Sequence, residues 1–173
     1  MANLLTGKIA LVTGAGSGIG QAISVAYAKE GAKVVITDLD LVGCHQTLEK
    51  IQEAGGQGWV YALDVTDVAA VQTLARQVQT EVGNIDILVN NVGGSAAGGP
   101  VEMAEDVWDS QVDTNLKSVF LTCKYVLPIM EKQGSGAIVN LASTSGIRWT
   151  GSAQVAYAAT KAGVIQLSRV VAV

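Results

Sequence analysis

Apolar positions along this 173-residue chain fall into short unbroken runs that alternate with longer stretches of helical period. Lys8-Ile-Ala-Leu-Val-Thr13 and Lys33-Val-Val-Ile-Thr37 place apolar, mostly β-branched residues on consecutive positions. That is the pattern of strands buried on both faces. The same reading predicts strands over 8–13, 33–37, 58–63, 86–90 and 136–142. Between them apolar residues recur every three or four positions, which predicts helices over 18–30, 41–54, 67–82, 104–114, 116–132 and 153–173. Such alternation implies right-handed βαβ units and an α/β fold with a doubly wound parallel sheet. No internal repeat, low-complexity tract or linker interrupts it. Residues 1–173 are therefore expected to form one domain, long enough for a substantial core.

The first strand runs into Gly14-Ala-Gly-Ser17-Gly18-Ile19-Gly20, and a helical pattern follows through Ala28. Glycines between a strand and a helix permit a tight turn and let a phosphate approach the backbone. The helix N-terminus then offers that anion free N–H groups and a positive dipole. The spacing is Thr-Gly-x-x-x-Gly-x-Gly, which differs from the commonest dinucleotide fingerprint. Asp38 ends the second strand about 20 residues past the glycines, the place for a carboxylate that hydrogen-bonds the adenosine ribose hydroxyls. A 2′-phosphate there would meet negative charge, and the glycine turn carries no Arg or Lys. The reading is NAD, with NADP disfavoured. Asp40 is the better candidate to cap the following helix, which leaves Asp38 free for the ribose.

Candidate chemistry lies in the last third of the chain. Gly136-Ala-Ile-Val-Asn140-Leu-Ala-Ser143 reads as a buried strand ending in a hydroxyl, and ligands in open α/β sheets sit beyond such strand ends. A loop with Gly146 and Gly151 leads on to Tyr157-Ala-Ala-Thr-Lys161. Four residues is just over one helical turn, so Tyr157 and Lys161 project from one face. A phenol with an ordinary pKa near ~10 exchanges protons poorly at neutral pH. A nearby ammonium favours the phenolate, so the pair has the form of a tuned general acid/base.

These motifs together resemble the short-chain dehydrogenase/reductase family in its shorter form. The matching pieces are Thr13-Gly-Ala-Gly-Ser-Gly-Ile-Gly20, Asp64-Val65, Asn90-Asn-Val-Gly93, Asn115, Ser143 and Tyr157-x-x-x-Lys161. They follow the family's order across nearly the whole chain; Val92 stands where the family usually has Ala. The resemblance implies a Rossmann-type fold and hydride exchange between NAD and a small secondary alcohol or ketone. It implies that Tyr157 passes the proton and Ser143 holds the substrate oxygen. Lys161 would bind the nicotinamide ribose, and Asn115 would hold a water connecting Lys161 to solvent. Gly14, Ser17, Gly18, Ile19 and Gly20 would cradle the phosphates, with Asp38 at the ribose. Asp64, Val65 and Asn91 would surround the adenine, and Gly93 opens a Gly/Ala/Ser-rich loop to Pro100 that faces the cofactor. Asn90 is expected to tie neighbouring strands instead. Two alternatives stand beside this reading: a 3-oxoacyl thioester reductase-like enzyme, and a non-catalytic nucleotide-binding fragment.

Composition narrows the partners. The net charge of −4, without a basic cluster, argues against nucleic acid. Cys44 and Cys123 are isolated thiols that support neither a disulfide nor a metal site, and His45 reads as a solvated helix residue. No signal-peptide apolar region or membrane-length run is present, so a cytoplasmic protein is expected. The final helical pattern reaches Val173 with no Gly cap or Pro beyond it. With the resemblance, this leads to the expectation of a sheet incomplete at its C-terminal edge and of a truncated chain that is itself inactive. Family members also pair their last helices across subunits, which implies a homodimer or homotetramer at full length. Arg148 and Trp149 lie between Ser143 and Tyr157 and admit two readings. They line the pocket mouth, where the arginine attracts an anion, or they are a solvated Arg beside a surface Trp.

Overall fold

The computed structural model describes residues 3–172. The first two positions of the N-terminal reading and Val173 of the expected last helix lie outside the described residues. Five strands form one parallel sheet: β1 (Ile9–Thr13), β2 (Lys33–Asp38), β3 (Gln57–Ala62), β4 (Ile87–Asn90) and β5 (Ala137–Asn140). Helices α1 (Gly18–Lys29), α2 (Leu41–Glu53) and α3 (Val68–Glu81) follow the first three strands. Helices α4 (Glu105–Val112) and α5 (Ser118–Gln133) separate β4 from β5, and α6 (Val155–Val171) ends the described chain. The strand order is β3-β2-β1-β4-β5. Chain direction across the sheet reverses between β1 and β4, so their C-terminal ends flank the crevice where such folds bind ligands.

The doubly wound core follows from the consecutive apolar runs. Along β1 and β2, Leu11 and Val35 face one layer while Ala10, Val12, Val34 and Ile36 face the other. The first layer contains Val71, Leu74 and Val78 of α3 and Leu121, Val126 and Met130 of α5. The second contains Ala28 of α1 and Cys44 and Ile51 of α2. Each fully buried Val or Ile contributes about 1.5–3 kcal/mol. Asn90, buried between these layers, donates to Asn140 Oδ1 (2.8 Å) and accepts from the Thr122 hydroxyl (2.7 Å). It thereby ties β4 to β5 and α5, as the resemblance implied.

Expected and observed element boundaries agree within two residues, and two structural differences remain. The helices expected over 104–114 and 116–132 are one continuous rod. A π-helical turn at Asp113–Lys117 joins α4 to α5. The extra residue interrupts the apolar period, which reads as a break in sequence although the backbone stays helical. The second difference is β5, expected as a buried strand. It is the sheet's edge, with Val139 42% exposed, because no described strand pairs on its far side.

Candidate active site

The turn after β1 is built from close backbone contacts. Gly14 has φ 64°, in the left-handed region that favours glycine. A side chain on Gly20 would place its Cβ 2.1 Å from the Gly14 carbonyl oxygen, so only glycine lets α1 start against the end of β1. Ser17 caps α1 in extended backbone conformation without a side-chain hydrogen bond. The first backbone bond of the helix runs from Gln21 N–H to Ser17 O (3.1 Å). The amides of Gly18, Ile19 and Gly20 thus stand at a helix start with the positive end of its dipole.

Three neighbours fix this turn. Asn91 Nδ2 donates to the carbonyls of Thr13 and Gly14 (3.0 Å each). The Thr13 hydroxyl accepts from Asn91 N–H (3.0 Å) and Val92 N–H (3.3 Å), binding β1 to the segment after β4. Asp38 accepts from Gly16 N–H through Oδ2 (3.0 Å) and from Asp40 N–H through Oδ1 (3.2 Å). Asp40 accepts from Val42 N–H and caps α2 as expected. Asp38 is therefore not free: it braces the glycine turn, with carboxylate lone pairs remaining for a second partner. The Asn91 amide, expected near an adenine, is spent on the turn.

Opposite the turn stand Tyr157 and Lys161 on one face of α6. Lys161 is 4% exposed, and burial pulls its ammonium below the ordinary lysine range. Its Nζ donates to the Leu141 carbonyl (2.6 Å) just past β5 and stands 5.7 Å from the centroid of the Tyr157 ring, within cation–π range. A Cβ on Gly93 would come within 2.8 Å of Asn115 Oδ1 and 3.2 Å of Lys161 Nζ. The loop after β4 can approach the lysine only because residue 93 is glycine.

Asn115 sits fully buried on the π-helical turn. Its Oδ1 accepts from Gly94 N–H and its Nδ2 donates to the Gly94 carbonyl (2.9 Å each). This side chain staples the loop after β4, a role that the expectation of a bound water did not include. Gln111, which the sequence did not mark, completes the staple. Its Oε1 accepts from Asn115 Nδ2 (3.2 Å) and Ala96 N–H (3.3 Å). The signal was present in the four-residue spacing to Asn115, one helical turn. Thr13 opens the glycine motif, and its hydroxyl also joins β1 to the segment after β4. Ser143, in extended conformation, accepts from Ser145 N–H (3.2 Å) and starts a short 3-10 turn at Thr144–Gly146.

One groove of about 450 Å³ collects most of these residues: Gly14, Ser17, Gly18, Ile19 and Asp38 on one side, Asn91 and Gly93 at the base, Tyr157 and Lys161 on the other. Ala142, which also lines it, precedes Ser143. Gly20, Asp64, Val65, Asn115 and Ser143 are not in this lining. Asp64 accepts from the Thr66 N–H (2.8 Å) and hydroxyl (2.6 Å), which hold its carboxyl below the usual range. Val65 is buried in the core layer against α3 and α5. Among the described residues no three His, Cys, Asp or Glu side chains gather as for a metal, and no helix is long and apolar enough to cross a membrane.

The groove fits a dinucleotide in three ways: open space at a glycine turn and helix start, a carboxylate at the end of β2, and a buried cation across the gap. Comparisons with known proteins agree. The family model described as short chain dehydrogenase matches residues 8–173. The chain is 39% identical over 165 residues to the 3-oxoacyl-[acyl-carrier-protein] reductase FabG of Thermotoga maritima, covering 95% of this chain and 67% of that protein. It is 42% identical over 168 residues to D-threitol dehydrogenase of Mycolicibacterium smegmatis, covering 97% and 64%. A provisionally assigned short-chain dehydrogenase/reductase from Burkholderia xenovorans superposes with a TM-score of 0.96 at 54% identity, covering 99% of this chain and 67% of that one. The chain thus spans about two thirds of the length of these relatives. Fold, groove and matches together place the chain in the short-chain dehydrogenase/reductase family.

Proposed function

We propose that the protein to which this chain belongs is an NAD-dependent oxidoreductase that interconverts a secondary alcohol and a ketone. The observation that carries this is the shared groove: Tyr157 and Lys161 face the glycine turn and Asp38 across one opening. Bound NAD would supply the hydride acceptor, the part of the reaction no side chain performs. Gly14 to Gly20 would hold the pyrophosphate on backbone amides, and Asp38 would receive the ribose hydroxyls on its remaining lone pairs. Asp64 and Val65 would flank the adenine, beyond the groove's own lining.

The residues of this chain then handle the proton. Tyr157 takes the hydroxyl proton of the alcohol and returns it in the reverse direction. Ser143 hydrogen-bonds the substrate oxygen and orients it. Lys161 places a buried positive charge beside the phenol and stabilises the negative charge that develops there. Its bond to Leu141 O and the close packing of Gly93 hold it in place. Asn115 and Gln111 keep the loop after β4 closed over the same end of the groove.

NAD is favoured because Asp38 sets a carboxylate where NADP carries its 2′-phosphate. Likeness to the FabG reductase favours a second reading, reduction of a 3-oxoacyl thioester; likeness to D-threitol dehydrogenase favours the alcohol reading. The test is a panel of secondary alcohols with NAD or NADP, followed by formation of reduced nicotinamide. Expected is turnover with NAD on at least one alcohol. Equal or better use of NADP would defeat the cofactor assignment, and no turnover of any alcohol alongside reduction of a 3-oxoacyl thioester would favour the second reading.

A further inference from the structure

Beside the catalytic pair lies a second cavity of about 380 Å³. Its walls are the loop after β4 and the loop from Thr144 to α6, clamped together by Gly98 N–H to Ala153 O (2.9 Å) and Val155 N–H to Gly98 O (3.1 Å). Ser145, whose amide donates to Ser143 Oγ, and Ala158, next to Tyr157, both line it. Ser143 and Tyr157 are not themselves in its lining; the cavity neighbours them through Ser145 and Ala158. Apolar surface from Val155, Ala158 and Trp149 makes up much of its wall.

Arg148 is the only charged residue in that lining. Its backbone N–H is anchored to the Thr144 carbonyl (3.0 Å). Its guanidinium makes no hydrogen bond or ion pair with any other described residue. The acids of the loop after β4 and of α4 are engaged or line another cavity. Glu102 accepts from Gly99 N–H (3.1 Å). Glu105 and Asp109 line a neighbouring cavity, divided from this one by Pro100 and Val155, which border both. Trp149, 72% exposed, adds a large flat apolar surface beside the cation. An unpaired guanidinium at an apolar cavity is suited to bidentate capture of an oxyanion, and the indole is suited to the hydrocarbon that carries it.

We infer that this cavity is the substrate's subsite and that Arg148 receives an oxyanion, so that the alcohol or ketone bears a carboxylate or phosphate on an apolar body. This rests on the oxidoreductase reading above and narrows its substrate class. The reacting oxygen lies toward Ser143 and Tyr157, and the anion lies at the Arg148 end.

The test compares levulinate and benzoylpropionate with their methyl esters, and with dihydroxyacetone phosphate, in reduction by the whole protein. Expected is a preference for acid over ester on the order of tenfold in kcat/KM, seen mainly in KM; tenfold corresponds to about 1.4 kcal/mol. Arg148→Ala is expected to collapse that ratio to about one, and Arg148→Lys to recover part of it. A preference for the phosphate ester that also depends on Arg148 identifies the oxyanion as phosphate. Equal use of acid and ester, or an unchanged ratio in Arg148→Ala, overturns the inference. Calorimetric binding of benzoylpropionate to the NAD-loaded protein separates the two readings. Binding that needs Arg148 without any turnover sinks the oxidoreductase reading and leaves the subsite standing. Binding indifferent to Arg148, or none, overturns the subsite whatever the turnover.

Discussion

The two sides of the groove are built differently. On the nucleotide side, backbone meets backbone: the Gly14–Gly20 turn is fixed by Asn91, Thr13 and Asp38, each through hydrogen bonds of 3.0 to 3.3 Å. On the substrate side, Ile147, Arg148 and Trp149 are exposed, and their loop is held by its own turn bonds to Ser143 and Thr144 and by the clamp at Gly98. A rigid cradle suits a cofactor of fixed shape. An exposed loop wall is where relatives on one scaffold can differ in what they accept.

The sharpest way to break this contrast is to add one side chain on each side. Gly20→Val drives a branched side chain into the Gly14 carbonyl, and no flexible neighbour can yield. Overpacking of this kind typically costs about 1–3 kcal/mol, and between two backbones the upper end or beyond is expected. Thermal melts should fall by many degrees and NAD binding should vanish. Gly94→Ala, with nothing within 4 Å of the added Cβ, should move the melt little. Comparable losses in both variants would erase the difference between the two sides.

The next effect concerns the staple between them. Asn115→Ala removes both hydrogen bonds to the backbone of Gly94, each worth about 0.5–1.5 kcal/mol. Hydrogen exchange should speed up at Gly94 and Ala96 while the amides of β1 and β2 stay protected. Uniform loss of protection would show that the staple holds the whole sheet, not the loop.

A smaller change is expected at the ribose end. Asp38→Ala removes the charge and the brace on Gly16, and the NAD-to-NADP ratio of kcat/KM should fall on the order of tenfold, about 1.4 kcal/mol. An unchanged ratio would move cofactor choice to other residues.

The smallest is a pH effect in the core. Burial pushes the thiols of Cys44 and Cys123 from 9.0 up to about 11; Asp38 and Asp40 add to the shift at Cys44. Between those values the unfolded chain loses these protons first. Stability should therefore fall as pH rises from about 9 to 11 and level off beyond. Cys44→Ala with Cys123→Ala should flatten that slope, which denaturant melts across the range would show.

What was legible in the sequence follows the same division. Strands β1 and β2 announce themselves because each residue faces one of two buried layers, and the glycines mark a turn that other residues cannot make. Tyr157 and Lys161 are legible as a pair because helical spacing fixes their common face. Asn115 was flagged, but its work was not. Its partner is the backbone of a loop 21 residues away, which no local pattern reveals. The π-helical turn, which carries Asn115, is equally invisible to a local pattern. β5 reads as buried from its run of apolar residues, and a run of four residues does not distinguish a central strand from an edge. Asp38 was legible as a nucleotide residue, whereas its bond to Gly16 N–H is a fact of three-dimensional proximity.

On the proposed function, Tyr157 moves the proton in the groove that would hold the nicotinamide cofactor. Tyr157→Phe removes one oxygen and leaves the ring beside Lys161. The direct measurement is NAD affinity and alcohol turnover on the same preparation of the whole protein, with and without the substitution. Expected is affinity within about twofold of the original and a turnover loss on the order of 10²–10⁴-fold, the usual contribution of a general acid/base. Near-normal turnover by Tyr157→Phe on the true substrate would contradict the account.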